Sequence, residues 1–211
     1  MKIITISRQF GSGGRELGKR LSDILGRDYY DREIITKLAE EQGLDPEYVK
    51  RILSHHEWNT VPITYRNSFA GAELIPNINI SFLAKQREII EDIAKAGNDC
   101  IIVGRNADVI LREYSPFRIY VCADMESRVQ RCMKYEMKKP VEARLTEKEI
   151  VRSIKRIDRD RKRMREAVSG KDSSDGSGFD LIVNAGDWEI KKLAPAVARF
   201  AEEWFGGKRE D

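Results

Sequence analysis

The sequence is poor in the residues that build disulfide frameworks and metal centres. It contains three cysteines, Cys100, Cys122 and Cys132, an odd number at no metal-binding spacing. Cys100 and Cys122 stand in apolar runs, where a free thiol behaves as a small core residue. Its two histidines, His55 and His56, are adjacent. Because neighbouring side chains on a helix point about 100° apart, they are poorly placed to share one ion, and we expect no metal site built by the protein.

Long apolar runs and an excess of one charge are also missing. The apolar start at residues 1–6 is far too short for a secretory or membrane-spanning segment. The 211 residues include 38 basic and 35 acidic side chains, a net charge of +3. This balance gives no reason to expect a nucleic acid or a membrane as a partner. The cysteine usage and the missing secretory segment lead us to expect a cytoplasmic protein. We expect it to be a monomer or homodimer with small-molecule partners.

What the sequence does contain is an alternation of apolar strand patterns with helical patterns. Strands are predicted at residues 2–6, 29–31, 100–104, 117–123 and 179–183. Helices are predicted from residue 15 to Gly26, and at 32–42, 45–56, 80–96, 106–113, 124–138, 146–168 and 187–205. Most strands are apolar on both faces, which is typical of a parallel sheet covered by helices on both sides. This α/β, doubly wound architecture places ligands beyond the carboxyl ends of its strands.

A run of small residues follows the first strand and forms the strongest functional signal: Gly11, Ser12, Gly13 and Gly14. Such a turn lets several backbone N–H groups point into one space, and the next helix adds its positive N-terminal end. We expect this turn to bind phosphate together with Arg8, Arg15 and Glu16. The alternative, a tight turn that only packs the helix on the sheet, is the less favoured interpretation because arginines flank the run.

The turn departs from the Walker A pattern, G-x-x-x-x-G-K-[ST]. If Gly13 is the second glycine, the lysine position falls on Gly14 and the hydroxyl position on Arg15. A reading shifted by one residue gives Arg15 the role of the lysine. A guanidinium is a planar fork and an ammonium is a point charge, so the exchange is not conservative. The loop therefore predicts phosphate binding more strongly than phosphoryl transfer.

Four segments resemble the cytidylate kinase-like family: residues 4–18, 29–31, 101–108 and 179–184. The resemblance implies a P-loop NTPase-type, three-layer fold with a five-stranded parallel sheet, a helical lid and an inserted acceptor-binding region. It also implies magnesium and the reaction ATP + CMP giving ADP + CDP. Two segments depart from the pattern of true cytidylate kinases. Arg32 follows Asp31 where those enzymes have a Thr-Gly-Ala-like segment, and Asn106 replaces the acid after Arg105.

Several charged residues are candidates for binding the phosphate acceptor. Arg105 directly follows an apolar strand, which puts it at the sheet edge where ligands bind. The resemblance makes it a clamp for the acceptor's phosphate and makes Asp31 a ligand of the acceptor or of magnesium. The remaining candidates on this side are Asp108, Arg131 and Asp158.

A basic helix supplies the candidate lid. Residues 151–165 hold eight Lys and Arg side chains against only Asp158 and Asp160. Arg161 falls on the same stripe as the helix's apolar residues, where a guanidinium must reach outward or meet an anion. We expect Arg156, Arg161 and Arg163 to close over the transferring phosphate with Arg15, as lid arginines do in kinases of this class. A solvated basic face is the alternative for the others.

Taken together, these patterns predict one P-loop kinase-like domain over residues 1–211. The acceptor-binding insertion is expected at about 32–80 and the lid at about 138–178. The predicted activity is ATP-dependent phosphoryl transfer to a small acceptor, first of all CMP. The missing loop lysine leaves a second hypothesis open, a regulatory protein that binds nucleotides without kinase turnover.

Overall fold

The computed structural model of the protein describes residues 1–31, 80–141, 144–169 and 178–207. The strands in these ranges are β1 (Ile3–Arg8), β2 (Asp28–Tyr30), β3 (Cys100–Val103), β4 (Phe117–Cys122) and β5 (Leu181–Asn184). The helices are α1 (Gly14–Leu25), α2 (Ile80–Lys95), α3 (Ala107–Ile110), α4 (Met125–Glu136), α5 (Glu147–Ser169) and α6 (Ile190–Gly206). The predicted helices at 32–42 and 45–56, and most of the predicted loop at 169–178, lie outside the described residues.

The described strands form a five-stranded sheet in the order β2-β3-β1-β4-β5, with every pair parallel. β1 is central: Ile3 is in register with Cys100 of β3, and Ile4 with Phe117 of β4. The predicted α/β fold with a five-stranded parallel core is thus confirmed. One helix differs from its prediction, because the segment expected at 106–113 is split into α3 and a 3-10 turn at Arg112–Tyr114.

Both faces of the sheet are buried, as the strand pattern predicted. Ile4 and Ile6 pack on one side against Leu17 of α1. Ile3 packs on the other side against Ile90 of α2. Adjacent side chains of a strand point to opposite faces, so a strand that is apolar throughout needs a helical layer on each side. No helix in the described part of the chain is long and apolar enough to cross a bilayer.

A third apolar cluster joins the turn after β1 to the two helices that follow β4. Phe10 packs with Val129 of α4 and with Ile150, Ile154 and Ile157 of α5. The predicted apolar stripe of the basic helix therefore faces the loop and α4. This contact fixes the side of α5 that is turned towards the carboxyl ends of the strands.

Two predicted helix boundaries are confirmed by their hydrogen bonds. Before α5, the Thr146 N–H donates to Glu149 Oε2 at 2.8 Å, and the Glu149 N–H donates to Thr146 Oγ1 at 3.4 Å, which is the predicted capping box. After α1, Gly26 adopts φ 64°, and its N–H donates to the Ser22 carbonyl. A left-handed glycine at this position ends a helix without the steric penalty of a Cβ atom.

The Gly26→Ala substitution should lower the free energy of unfolding by about 1 kcal/mol, because alanine is strained at positive φ. Gly206→Ala is the matched control: Gly206 ends α6, and a Cβ there meets no atom within 4 Å. It should raise the free energy of unfolding by about 0.5 kcal/mol. Urea unfolding followed by circular dichroism measures both changes. Equal effects of the two substitutions would contradict the assignment of Gly26 as a left-handed cap.

Candidate functional site

The turn between β1 and α1 needs glycine at two of its positions. Gly11 has φ 79° and Gly13 has φ 90°. A Cβ on Gly11 would lie 3.0 Å from the Arg128 carbonyl oxygen, and one on Gly13 would lie 2.6 Å from Ile190 Cδ1. Buried Ser12 donates its hydroxyl to the Gln9 carbonyl at 2.9 Å, which closes the turn on itself. The result is a tight loop around the start of α1, whose first-turn N–H groups have no acceptor within the helix.

Side chains from α4 and α5 form hydrogen bonds with the backbone of this loop. Arg128 Nε donates to the Phe10 carbonyl at 2.6 Å, and Asp158 Oδ1 accepts the Phe10 N–H at 2.7 Å. Arg128 and Asp158 also pair with each other. Arg161 Nη1 donates to the Arg8 carbonyl at 2.9 Å. The basic helix is thus bonded directly to the loop. Asp158 positions the loop and these two arginines, and its predicted role in binding the acceptor stays a prediction.

Arg131 links the loop to the residues that follow β5. Its guanidinium donates to four carbonyls, those of Ser12, Ala185, Gly186 and Trp188, at 3.4 Å for Ser12 and 3.0 Å for Trp188. These contacts lie where β5 ends, at the opposite edge of the sheet from β2. The role of Arg131 as an acceptor ligand stays a prediction; in the structure its guanidinium joins the loop to the segment before α6.

Arg15 and Asp31 form one ion pair. Arg15 Nε and Nη2 lie 3.0 Å and 2.7 Å from Asp31 Oδ2, and the Tyr29 hydroxyl lies 3.4 Å from the same oxygen. Burial, and then the charge of Asp31, raises the pKa of Tyr29. Arg15 was expected to replace the loop lysine, but its guanidinium is turned to the carboxylate that follows β2. The two residues that were predicted for opposite substrates therefore act as a pair.

The residues after β3 hold an unusual backbone. Gly104, Arg105 and Asn106 have successive φ values of 82°, 59° and 55°. Left-handed conformations are uncommon in residues other than glycine and are concentrated at functional sites. Arg105 Nη1 donates to Gln86 Oε1 at 3.2 Å, and Gln86 Nε2 donates back to the Arg105 carbonyl at 3.1 Å. α2 thereby holds Arg105 at the carboxyl end of β3, where the sequence predicted it.

Arginines near this edge raise the local positive potential. Burial lowers the pKa of Arg8, and it lowers the pKa of Arg105 to about 10 and that of Arg161 to about 9. For both Arg105 and Arg161 the second cause is the charge of Arg8. Half-buried guanidinium groups that repel one another are stabilised by an anion placed between them. The charge at the carboxyl ends of β1 and β3 therefore suits the binding of an anion.

Asp108 is buried and bonded to side chains of β1 and α5. It is 4% exposed, accepts a hydrogen bond from Ser7 Oγ at 3.2 Å and pairs with Arg165. The Arg165 guanidinium also stands 4.8 Å from the centre of the Phe179 ring. The role of Asp108 in binding the acceptor stays a prediction; in the structure it joins the end of α5 to β1. The sequence signal for Arg165 was its position four residues after Arg161 on the same helix face.

Three further residues were predicted for the site: Glu16, Arg156 and Arg163. Glu16 pairs with Arg20 at 2.8 Å along α1. Arg163 is exposed and Arg156 is half-buried, both on α5. The place of Arg156 and Arg163 over the transferring phosphate stays a prediction. On the same helix, Arg161 contacts the Arg8 carbonyl and Arg165 contacts Asp108.

The parallel sheet, the glycine loop at the end of its central strand and the arginine-bearing helix over that loop define a P-loop protein of the kinase type. The family model of the Cytidylate kinase-like family matches residues 3–187. The chain belongs to this family. A protein of Haloarcula marismortui named cytidylate kinase is 27% identical to it over 203 residues, which are 96% of this chain and 90% of that one.

Solved structures share the fold at lower identity. A crystal structure of an uncharacterized protein from Eubacterium ventriosum superposes with a TM-score of 0.69 at 19% identity and covers 96% of this chain and 99% of that one. Shikimate kinase from Bacteroides thetaiotaomicron gives a TM-score of 0.56 at 13% identity and covers 95% and 98%. At these identities the likeness establishes the common fold.

Proposed function

We propose that the protein transfers the γ-phosphoryl group of ATP to a pyrimidine nucleoside monophosphate, with CMP as the first choice. One observation carries this proposal: the glycine loop and the guanidinium groups of Arg8, Arg105 and Arg161 meet at the carboxyl ends of β1 and β3. Membership of the family and the relative named cytidylate kinase support the choice of acceptor.

The donor side of the site is the loop. Its N–H groups and the N-terminal end of α1 would hold the phosphates of ATP, and Arg161 would lie over them from α5. Arg161 is already fixed by the Arg8 carbonyl and stands 5.6 Å from the centre of the Phe10 ring. Phosphoryl transfer of this kind needs little covalent chemistry from the protein. Positioning of the phosphates and neutralisation of their charge supply the rate enhancement.

The acceptor side lies towards β2 and β3. Arg105 would bind the acceptor's phosphate, because it is held at the strand end by Gln86 and repelled by Arg8. Asp31, which is 5% exposed, would orient the acceptor through the hydroxyl of Tyr29 and the guanidinium of Arg15.

Magnesium is implied by the family, but the described residues do not present a protein-held site for it. Among the described ranges no group of three His, Cys, Asp or Glu side chains could hold an ion. Three aspartates of the predicted site are each bonded to an arginine, Asp31 to Arg15, Asp108 to Arg165 and Asp158 to Arg128. Magnesium is usually held in such enzymes by one or two carboxylates and the substrate phosphates. These residues supply no free carboxylate for that purpose.

A second function, nucleotide binding without turnover, is favoured by one specific contact. Arg15 is the shifted substitute for the loop lysine, and it is committed to Asp31 at 2.7 Å. If the pair persists when nucleotide is bound, the donor phosphates lack the charge that the lysine supplies in other P-loop kinases.

The test is a transfer assay with the pure protein, labelled ATP and magnesium against CMP, other nucleoside monophosphates and small alcohols. We expect labelled CDP from CMP, and more of it than labelled phosphate released without any acceptor. Labelled product from a different acceptor alone would replace CMP in the proposal. Binding of ATP without any labelled product would support the regulatory function and refute the kinase proposal.

A further inference from the structure

We infer that Arg8 takes the place of the missing loop lysine and is the principal side-chain ligand of a phosphate group, at the point where the loop meets the acceptor residues. The inference deepens the proposed function and rests on it. The two positions that the loop sequence offers for the lysine do not supply its charge. Gly14 has no side chain, and Arg15 is paired with Asp31.

The position of Arg8 is set by two glycines. Arg8 is the last residue of β1, the central strand, and a Cβ on Gly14 would lie 2.7 Å from its Cβ. Its guanidinium crosses to the end of β3, where a Cβ on Gly104 would lie 1.7 Å from Nη1. A larger residue at position 104 would displace the guanidinium from this place. The side chain thus spans the gap between the donor loop and Arg105.

The guanidinium of Arg8 has no protein partner among the described residues. No hydrogen bond or ion pair joins its nitrogens to any side chain or carbonyl of the described ranges. Asp31 and Asp158 act on it through space, but the first is bonded to Arg15 and the second to Arg128. The charges of Arg105 and Arg161 repel it. A half-buried cation with five N–H donors in such surroundings is suited to an external anion.

The shape of the Arg8 guanidinium and the positive charge around it indicate which class of anion binds there. A guanidinium matches two oxygens of a tetrahedral phosphate, and a phosphate monoester carries close to two negative charges at neutral pH. Two groups of this class reach the site in a kinase: the terminal phosphate of the nucleotide and the phosphate of the acceptor. Binding of each alone distinguishes the two sources.

The experiment compares the wild-type chain with Arg8→Met, Arg8→Lys and Arg199→Met. Arg199 is exposed on α6 and serves as the matched charge control. Titration calorimetry measures the Kd of a non-hydrolysable ATP analogue and, separately, of CMP, and a thermal melt measures Tm without ligand. We expect Arg8→Met to raise the Kd of one or both probes by about tenfold or more, Arg8→Lys to recover part of the loss, and Arg199→Met to have no effect.

The melt separates ligand binding from a structural role. Because burial disfavours the Arg8 cation and lowers its pKa, Arg8→Met should leave the Tm without ligand unchanged or higher. A loss confined to the ATP analogue assigns Arg8 to the transferring phosphate, and a loss confined to CMP assigns it to the acceptor. Unchanged Kd values for both probes, a lower Tm with unchanged Kd values, or a wild-type chain that binds neither probe would overturn the inference. A wild-type chain that binds both probes without forming CDP would instead refute the kinase proposal and leave Arg8 as a phosphate ligand.

Discussion

Replacing Arg161 with alanine should lower turnover by about a thousandfold while changing the Kd of ATP by less than about threefold. Arg161 is fixed from three sides: by the Arg8 carbonyl at 2.9 Å, by the Phe10 ring, and by Asp158 at 3.9 Å. Its charge is placed over the loop before any substrate binds. A charge fixed in this way stabilises the negative charge that develops on the phosphate during transfer more than it stabilises bound ATP. Steady-state rates and calorimetry on the same preparation give the two numbers.

Lys155→Ala is the matched control for this prediction, since Lys155 is an exposed cation on the same helix. It should leave both the turnover and the Kd close to those of the wild type. A purely structural role of Arg161 would show as a lower Tm with proportionate losses of turnover and binding. That result would favour the alternative interpretation, in which the basic residues of α5 form a solvated face.

Replacing Asp158 with alanine should lower the free energy of unfolding by about 2–4 kcal/mol. Its carboxylate accepts the Phe10 N–H and pairs with Arg128, whose side chain is 5% exposed. Without Asp158, a buried guanidinium keeps only the Phe10 carbonyl as a neutral acceptor. Asp158 itself is 26% exposed, so water reduces part of the cost, and the range is set below that of a fully buried pair. Urea unfolding at neutral pH measures the change.

Two further variants make the Asp158 prediction specific. Asp160→Ala removes the same charge from the same helix and should cost less than about 0.5 kcal/mol, because the Asp160 side chain takes no part in the bonds to the loop. Combining Asp158→Ala with Arg128→Met should recover a good part of the loss, since removing both members of a pair leaves no buried charge behind. An equal cost for the two aspartates would show that the pair does not hold the loop.

The fold was readable because its signals are local and repeated. Strands that are apolar on both faces predicted a parallel sheet with two helical layers, and each described strand lies within two residues of its predicted start. The glycine run located the loop, since the positive φ values of Gly11 and Gly13 leave few other residue types possible there. The apolar stripe of α5 predicted which of its faces is buried and that Arg161 lies on that stripe; the structure adds that this face packs against Phe10 of the loop.

The sequence did not predict which charged side chains pair with one another. Asp158 bonds Phe10 at a separation of 148 residues, and Arg15 bonds Asp31, although many other arginines and aspartates are present. With 38 basic and 35 acidic residues in the chain, spacing alone does not select one pairing. Tertiary packing decides it. For the same reason the sequence did not predict that Arg131 links the loop to the residues that follow β5, and Arg128 and Arg165 were left out of the predicted site.

The strand order has a consequence for how the chain is made. β1 is synthesised first, but its neighbours in the sheet are β3 and β4, and the Lys2 N–H donates to Asp99 across 97 residues. The ribosome adds about 5–20 residues each second, so β1 and its apolar side chains wait several seconds for the strands that flank them. During that interval the described elements available to cover it are α1, β2 and, once residue 95 has been added, α2. Nascent chains halted before residue 100 should therefore depend on chaperones more than chains halted after residue 123, where β4 is complete.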